Sequence, residues 1–195
     1  MTLLSDTRRA VTSAPLHELL ADRWSPRSFD PEHVVPEEQV AALLEAARWA
    51  PSAANLQTRR FLVARRGSLA FDLVTQALAS GNQPWAQHAS LYVVAVALRA
   101  SGDGKPNRWS EYDAGQAMAH LTTQAQALGL HVHQMGGFDP EAIRRDFDLP
   151  EGALPITVSA IGRGADAELL PERYRDRETA DRARLPLEEL LLVDE

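Results

Sequence analysis

The sequence has no cysteine among its 195 residues, which excludes disulfide frameworks, thiolate zinc sites and cysteine nucleophiles. It also lacks a long apolar run, because the longest, Leu91–Leu98, has the length of a strand and not of a membrane span. Basic residues number 20 against 27 acidic ones, and the net charge of −7 disfavours a nucleic-acid-binding face. The first residues show no basic start followed by an apolar core, so no signal peptide is expected. These absences predict a cytoplasmic protein that binds neither nucleic acid nor membrane.

The composition is that of an ordinary globular chain, with 45% hydrophobic and 24% charged residues. A chain of this length is long enough to bury a sizeable core within one domain. We see no internal repeat, low-complexity tract or linker, and therefore expect residues 1–195 to form a single domain.

Hydrophobic spacing and punctuation by proline and glycine predict alternating helices and strands. Pro15 suits the first position of the first helix, and Asp139 followed by Pro140 is a typical helix start. Leu91–Val96 is an uninterrupted apolar run, as expected for a central strand covered on both faces. The tail, residues 163–195, is polar and rich in arginine. The predicted helices cover 15–23, 36–50, 68–80, 108–128 and 140–147, and the predicted strands cover 60–64, 91–96, 130–134 and 155–161. This alternation indicates an α/β or α+β domain with a four- or five-stranded sheet.

Three patterns that suggest other chemistries are weak on inspection. Gly162–Ala167 matches a dinucleotide fingerprint after a strand, but the residues that follow are too few and too polar for a buried helix and further parallel strands. His131 and His133 point to one face of a strand, where packed or surface histidines are better expected than a metal site. The G-x-S-x-G motif of a hydrolase is absent from the sequence.

Small, polar and cationic loops flank the apolar elements. The first, Arg23–Phe29, places two guanidiniums and a hydroxyl within the five residues Arg23–Arg27, a set of donors suited to phosphate. The loop Pro51–Gln57 has little side-chain bulk. Gly136–Gly137 and the pair Arg182 and Arg184 follow later in the chain.

In order and spacing, these loops resemble the motifs of the nitroreductase family of flavin enzymes, over about residues 19–191. The resemblance implies an α+β, three-layer fold with a central, mostly antiparallel sheet of four to five strands flanked by helices. The segments that carry it are Arg23–Phe29, Ala50–Gln57 before Arg60–Val63, Asn82 ahead of Ala89-Ser90, Ala127–Leu130 before Gly136–Asp139, and Arg182–Leu187.

The resemblance also implies the cofactor FMN, which needs cations at its phosphate and donors along its ring. Arg27 is expected beside the ring, where a guanidinium stabilises the reduced flavin electrostatically. Asn82 can both donate and accept along the pyrimidine edge, and Gly136–Gly137 allows main chain to approach closely. No side chain is expected to act as a covalent catalyst. The residues implied at the cofactor are Arg23, Trp24, Ser25, Arg27, Pro51, Ser52, Ala53, Asn55, Gln57, Asn82, Gln134, Met135, Gly136, Gly137, Arg182 and Arg184.

By the same resemblance the protein is expected to be a homodimer with FMN at the interface. Ser52 and Ala53 would come from the partner subunit, and the tail from about residue 163 would extend onto it. The expected activity takes hydride from NADH or NADPH and reduces an electron-poor acceptor, such as a nitroaromatic or quinone, in ping-pong order. Binding residues alone also fit a flavin-storage or flavin-sensing protein without turnover. The small residues of 108–128 fit, in addition, an interaction domain without a cofactor.

Three departures from the family pattern stand out. Thr58-Arg59 replaces the usual Pro-Trp, Trp24 stands where a second basic residue is common, and Gly136 replaces a frequent acidic residue. The chain is also short, and we expect it to lack the inserted helical segment that shapes the substrate pocket of longer members.

Overall fold

The computed structural model describes residues 8–100, 102 and 104–193. Its helices are α1 (Glu18–Ala21), α2 (Glu37–Arg48), α3 (Leu69–Ala77), α4 (Gln83–Ala86), α5 (Ser110–Ala127), α6 (Pro140–Asp146) and α7 (Glu172–Thr179). Its strands are β1 (Arg59–Arg65), β2 (Leu91–Leu98), β3 (His131–Met135) and β4 (Ala153–Gly162). Single turns of tighter helix lie at Ala167–Leu169 and Leu187–Leu190, and Ala53–Asn55 is a turn in which the backbone of Ala54 is not right-handed helical. Within these described ranges, none of the helices combines the length and apolar character needed to cross a bilayer.

The four strands form one sheet in the order β1-β2-β4-β3, and every neighbouring pair is antiparallel. Strand β2 is central and buried along Leu91–Ala97, as the uninterrupted apolar run predicts. The expected α+β class with a four- to five-stranded antiparallel sheet is therefore confirmed, with four strands.

Each face of the sheet supports its own hydrophobic core, so the fold has three layers. Alternate residues of β2 point to opposite faces because the side-chain period of a strand is two. Tyr92, Val94 and Val96 join the core under α3, α4 and α6, which includes Phe71, Val74, Trp85 and Ile143. Leu91, Val93 and Ala95 join the core under α2 and α5, which includes Val40, Leu43, Met118 and Leu121.

Helix α5 packs through small residues on one face and leaves small residues on the other. It ends before Gly129, whose φ of +71° is the left-handed conformation that suits a residue just beyond a helix. The buried small residues are Ala114, Ala117 and Ala125, and the exposed ones are Gly115, Ala119 and Ala127.

Two predicted helices differ from the structure. The first spans only Glu18–Ala21, with His17 rather than Pro15 at its start, because Leu16 and Leu20 stay exposed and find no core to stabilise a longer helix. The third ends at Ala77, since Leu78 turns to extended backbone and pairs with Phe138.

The tail is also more structured than its polarity suggests. Helix α7 forms there, and it buries Tyr174 and Glu178 while its other residues stay exposed. The fingerprint-like segment after β4 forms no nucleotide-binding turn, because Gly164 pairs with Phe29 and one helical turn follows at Ala167–Leu169.

Candidate functional site

Arginines from distant parts of the chain converge on the loop Arg23–Phe29. Burial, and then the positive charges of Arg182 and Arg184, lower the pKa of Arg23. Burial lowers the pKa of Arg182 as well, and Arg184 and Arg8 add to that effect while Asp22 opposes it. The structure therefore brings together three of the residues predicted at a phosphate, in a cluster with an excess of positive charge.

Hydrogen bonds fix this cluster in place. Arg182 Nη1 donates to the carbonyl oxygens of Ala21 at 2.8 Å and Arg8 at 2.6 Å, which ties the tail to the segment before the loop. Arg23 Nη1 donates to Ser25 Oγ at 3.2 Å. Arg23 and Ser25 are thus hydrogen-bonded to each other, and Arg182 is bonded to the backbone two residues before Arg23.

Glu178, which sequence reasoning missed, holds the backbone of the loop. Its side chain is 3% exposed and accepts the N–H of Arg27 at 3.0 and 2.9 Å and that of Ser28 at 3.0 Å. A carboxylate that accepts backbone N–H groups makes charge-assisted hydrogen bonds, which are stronger than neutral ones. Helix α7 therefore carries the residue that anchors the arginine loop, although its polar composition does not indicate this role.

Two buried histidines lie beneath the loop. His133 Nδ1 lies 2.9 Å from the Pro26 carbonyl oxygen and carries the proton that this contact requires, while its ring lies 4.6 Å from that of Trp85. His131 Nδ1 instead accepts the N–H of Gly164 at 3.3 Å. Burial is the main cause that lowers the pKa of each histidine to about 4, and both rings are neutral at pH 7. Among the described residues, no three acidic or histidine side chains are placed to share a metal ion.

The side chain of Trp24 is packed inward. Its ring is buried, lies edge-on to His131 at 6.1 Å and is covered by the Arg8 guanidinium at 4.4 Å. A contact between Trp24 and a cofactor would therefore come from its backbone.

Asn82 and Gly137 meet although 55 residues separate them. Asn82 Nδ2 donates to the Gly137 carbonyl oxygen at 3.2 Å, and the Ala79 N–H donates to the same oxygen at 2.9 Å. A Cβ at Gly137 would lie 3.2 Å from Asn82 Nδ2, whereas one at Gly136 would meet no atom within 4 Å. Space for a side chain is thus free at Gly136, whereas at Gly137 Asn82 already occupies it. Close approach of a cofactor to the main chain is predicted at both glycines.

The neighbours before these glycines are held by protein contacts. Met135 is buried, and Gln134 Nε2 donates to Thr122 Oγ1 on α5 at 3.1 Å. Arg27 lies on the same side of the molecule as Asn82, because its guanidinium lies 6.0 Å from the ring of Trp85 and Trp85 belongs to the short helix that Asn82 begins.

The loop Pro51–Gln57 has a strained backbone. Ala54, Asn55 and Gln57 have φ values of 47°, 55° and 52°, a left-handed conformation that costs a residue with a side chain about 1 kcal/mol or more. Such strain persists only when the surroundings impose it, and it clusters at functional sites. Pro51, Ala54 and Asn55 are exposed, whereas Ser52 and Ala53 are half-buried.

Buried polar residues hold the backbone on both sides of these left-handed residues. Both carboxylate oxygens of Asp113, which is 1% exposed, accept the N–H of Ala53 at 3.2 Å. Arg59 Nη2 donates to the carbonyl oxygens of Arg48 and Ala50 at 2.7 Å, at the end of α2 where a cation is favourable. Asn107 Nδ2 donates to Thr58 Oγ1 at 2.9 Å. Thr58 and Arg59 thus belong to a polar network that sequence reasoning did not identify.

The structure places the two loops at opposite edges of the sheet. Pro51–Gln57 leads into β1, whereas Arg23–Phe29 packs on β3. Three strand spacings separate these edges, or about 14 Å. Within one chain the arginine loop therefore joins Arg182, Arg184 and Trp85, and not the loop Pro51–Gln57.

Comparisons with known proteins agree with this architecture. The model of the nitroreductase family matches residues 20–163. The crystal structure of an oxidoreductase containing FMN is 37% identical, with a TM-score of 0.84 over 95% of this chain and 94% of that one. An uncharacterized 15.4 kDa protein of Mycolicibacterium smegmatis is 33% identical over 67% of this chain and 92% of its own length. An NADH dehydrogenase of Thermus thermophilus is 28% identical over 81% of this chain and 86% of its own. The chain belongs to the nitroreductase family.

Proposed function

We propose that this protein is an FMN-dependent oxidoreductase that takes hydride from NADH or NADPH and reduces an electron-poor acceptor, such as a nitroaromatic or quinone, in ping-pong order. The observation that carries the proposal is the convergence of Arg23, Arg182 and Arg184 around one loop. An excess of guanidinium charge in a partly buried site is stabilised by a bound oxyanion, and FMN ends in a phosphate. The names of an FMN-containing oxidoreductase and an NADH dehydrogenase among the relatives support the same conclusion.

The residues present fit FMN along its length. The phosphate would be held by Arg23, Ser25, Arg182 and Arg184. Glu178 anchors the loop that carries the first two of these residues. Bound FMN supplies the redox chemistry, since its ring accepts hydride and passes electrons to the acceptor. For a nitro acceptor, one hydride donor, one proton and one nitro group give the oxidised donor, a nitroso group and water.

We propose that uncharged donors and one cation would bind the flavin ring. Asn82 offers its carboxamide at the edge of the site, and the fitted backbone at Gly137 lets main chain reach the ring without a side chain between them. The Arg27 guanidinium lies 6.0 Å from the ring of Trp85, and its charge would stabilise the reduced flavin ring.

We further propose that the site is completed in a homodimer. The loop Pro51–Gln57 lies across the sheet from the arginine loop of its own chain, so a second copy is the natural source of Ser52 and Ala53. Two unpaired surfaces support this association. One is the exposed small face of α5, Gly115, Ala119 and Ala127. The other is the exposed leucine segment that begins after Arg184 and contains Leu185, Leu187, Leu190, Leu191 and Leu192.

Contacts of residues 165–182 with their own chain limit the part of the tail that we propose to extend onto the partner. Ala165 N–H donates to the Ser28 carbonyl oxygen at 3.1 Å, and α7 and Arg182 also contact their own chain. Crossing is therefore proposed for the segment from Leu185 onward.

A visible spectrum of the purified protein tests the proposal. We expect flavin bands after FMN is added and excess is removed, and bleaching of those bands by NADH or NADPH without oxygen. A colourless protein would overturn the FMN proposal. Bound flavin that neither NADH nor NADPH bleaches would contradict the proposed enzymatic activity and favour a flavin-storage or flavin-sensing role.

A further inference from the structure

Two large aromatic side chains stand exposed at the start of α5. Trp109 is 46% and Tyr112 64% exposed, and their rings meet edge to face with centroids 6.4 Å apart. The Arg108 guanidinium lies 4.4 Å from the Trp109 ring. Tyr112 follows Trp109 by three positions, so both rings lie on the same face of the helix. Two adjacent exposed aromatic rings offer a surface on which another molecule can pack.

The backbone of Trp109 is fixed to the loop Pro51–Gln57 on both sides. Its N–H donates to Asn107 Oδ1 at 3.0 Å, and Asn107 in turn donates to Thr58 at the end of the loop. Its carbonyl oxygen accepts the N–H of Asp113 at 2.8 Å, and Asp113 holds Ala53. Asn107 and Asp113 are both buried. The backbone that carries Trp109 is therefore held beside the loop.

We propose that Trp109 and Tyr112 form the aromatic wall of the acceptor site and select planar, electron-poor aromatic rings. This inference rests on the proposed function, in which Ser52 and Ala53 border the FMN ring of the partner subunit. An indole and a phenol have electron-rich faces, and they pack favourably on an electron-poor ring in stacked or edge-to-face geometry. Arg108 places a positive charge beside the indole, which complements a nitro group or a carboxylate on the acceptor.

Acceptor kinetics of the FMN-loaded protein test this assignment. The acceptors are nitrobenzene and ferricyanide, which is not planar and has no ring to stack. We expect Trp109→Ala with Tyr112→Leu to raise the KM for nitrobenzene about tenfold, the loss of one or two aromatic contacts. The kcat/KM for ferricyanide, the FMN affinity and the rate of FMN reduction by the nicotinamide donor should stay within about twofold of the unchanged protein.

Variants that keep the rings serve as matched controls. Trp109→Phe and Tyr112→Phe should retain the KM for nitrobenzene within about threefold. Arg108→Ala should raise the KM for 4-nitrobenzoate more than that for nitrobenzene, because only the former carries a carboxylate.

Three outcomes would overturn the assignment. One is an equal loss with nitrobenzene and ferricyanide, which indicates damage to the loop. Another is an unchanged KM for nitrobenzene in the double variant. The third is conversion of a dimer to monomers by the double variant in sedimentation velocity, which makes the pair an interface. If the unchanged protein binds no FMN, the proposed function itself fails.

Discussion

The two loops that border the candidate site are built on opposite principles. Arg23–Phe29 concentrates charge, adopts ordinary backbone conformations and is held through its N–H groups by Glu178. Pro51–Gln57 has no charged side chain, adopts left-handed backbone at three non-glycine residues and is held by Asp113. A phosphate is bound by concentrated positive charge and donors, whereas a planar ring packs on a surface without bulky side chains. In the proposed function, the first loop would serve the phosphate of FMN and the second its ring.

The largest effect should come from the anchor of the arginine loop. Glu178→Ala leaves two buried backbone N–H groups without an acceptor, and we expect a loss of about 3 kcal/mol in the free energy of unfolding. Urea denaturation measures it. Asp176→Asn, on the exposed face of the same helix, should change stability by less than about 0.5 kcal/mol. Equal stability of the two variants would contradict the role given to Glu178.

The anchor of the other loop should matter slightly less. Asp113→Ala frees one N–H, that of Ala53, and removes the negative charge that faces Arg59, so we expect a loss of about 2 kcal/mol. The matched control is Glu111→Ala in the same helical turn, whose ion pair with Arg99 is exposed and contributes little. If Glu111→Ala destabilises the protein as much as Asp113→Ala, the loop does not depend on Asp113.

Acid should destabilise the surroundings of the first loop, because two buried histidines, His131 and His133, lie beneath it. The pKa values of His131 and His133 are lowered to about 4, so the unfolded chain takes up protons at a pH where the folded chain does not. Their contribution to stability is present above about pH 6.5 and is lost as the pH falls toward 4. Each histidine adds up to about 1.4 kcal/mol per pH unit to the slope.

Urea denaturation between pH 5 and 6.5 measures this slope. His131→Gln and His133→Gln should each reduce the slope by the uptake of about one proton on unfolding, or about 1.4 kcal/mol per pH unit. A slope that neither substitution changes would place the acid sensitivity elsewhere in the molecule.

The smallest effect should distinguish the two arginines of the first loop. Arg23→Ala removes a charge-assisted contact to the phosphate and should weaken FMN binding about tenfold. Arg27→Ala should instead lower the flavin reduction potential and slow its reduction, with FMN affinity changed less. Fluorescence titration and a spectroscopic redox titration report the two properties. Equal effects of both substitutions on both properties would count against the split.

Much of the fold follows from local signals in the sequence. The apolar run at Leu91–Val96 marks the central strand because a strand buried on both faces needs no alternation. Asp139 before Pro140 marks the start of α6, where its carboxylate accepts two backbone N–H groups. These elements were predictable because neighbours in sequence determine them.

The anchors of the site could not be predicted in the same way. Glu178 acts on Arg27 and Ser28, 151 and 150 residues away, and its helix has no apolar stripe beyond Tyr174. Trp24 reads as part of a surface motif, yet its ring lies in the core against His131. In each case the decisive partner is brought near only by the completed sheet.

The left-handed residues of Pro51–Gln57 also limit how this loop can change. Asparagine and glycine tolerate that conformation, whereas β-branched side chains almost never adopt it. At Ala54, Asn55 and Gln57 the set of acceptable amino acids is therefore small, even though the side chains face outward. A library randomised at these positions should return few folded variants with valine, isoleucine or threonine. Exposure, which usually marks freedom to vary, here accompanies a restricted choice of amino acids.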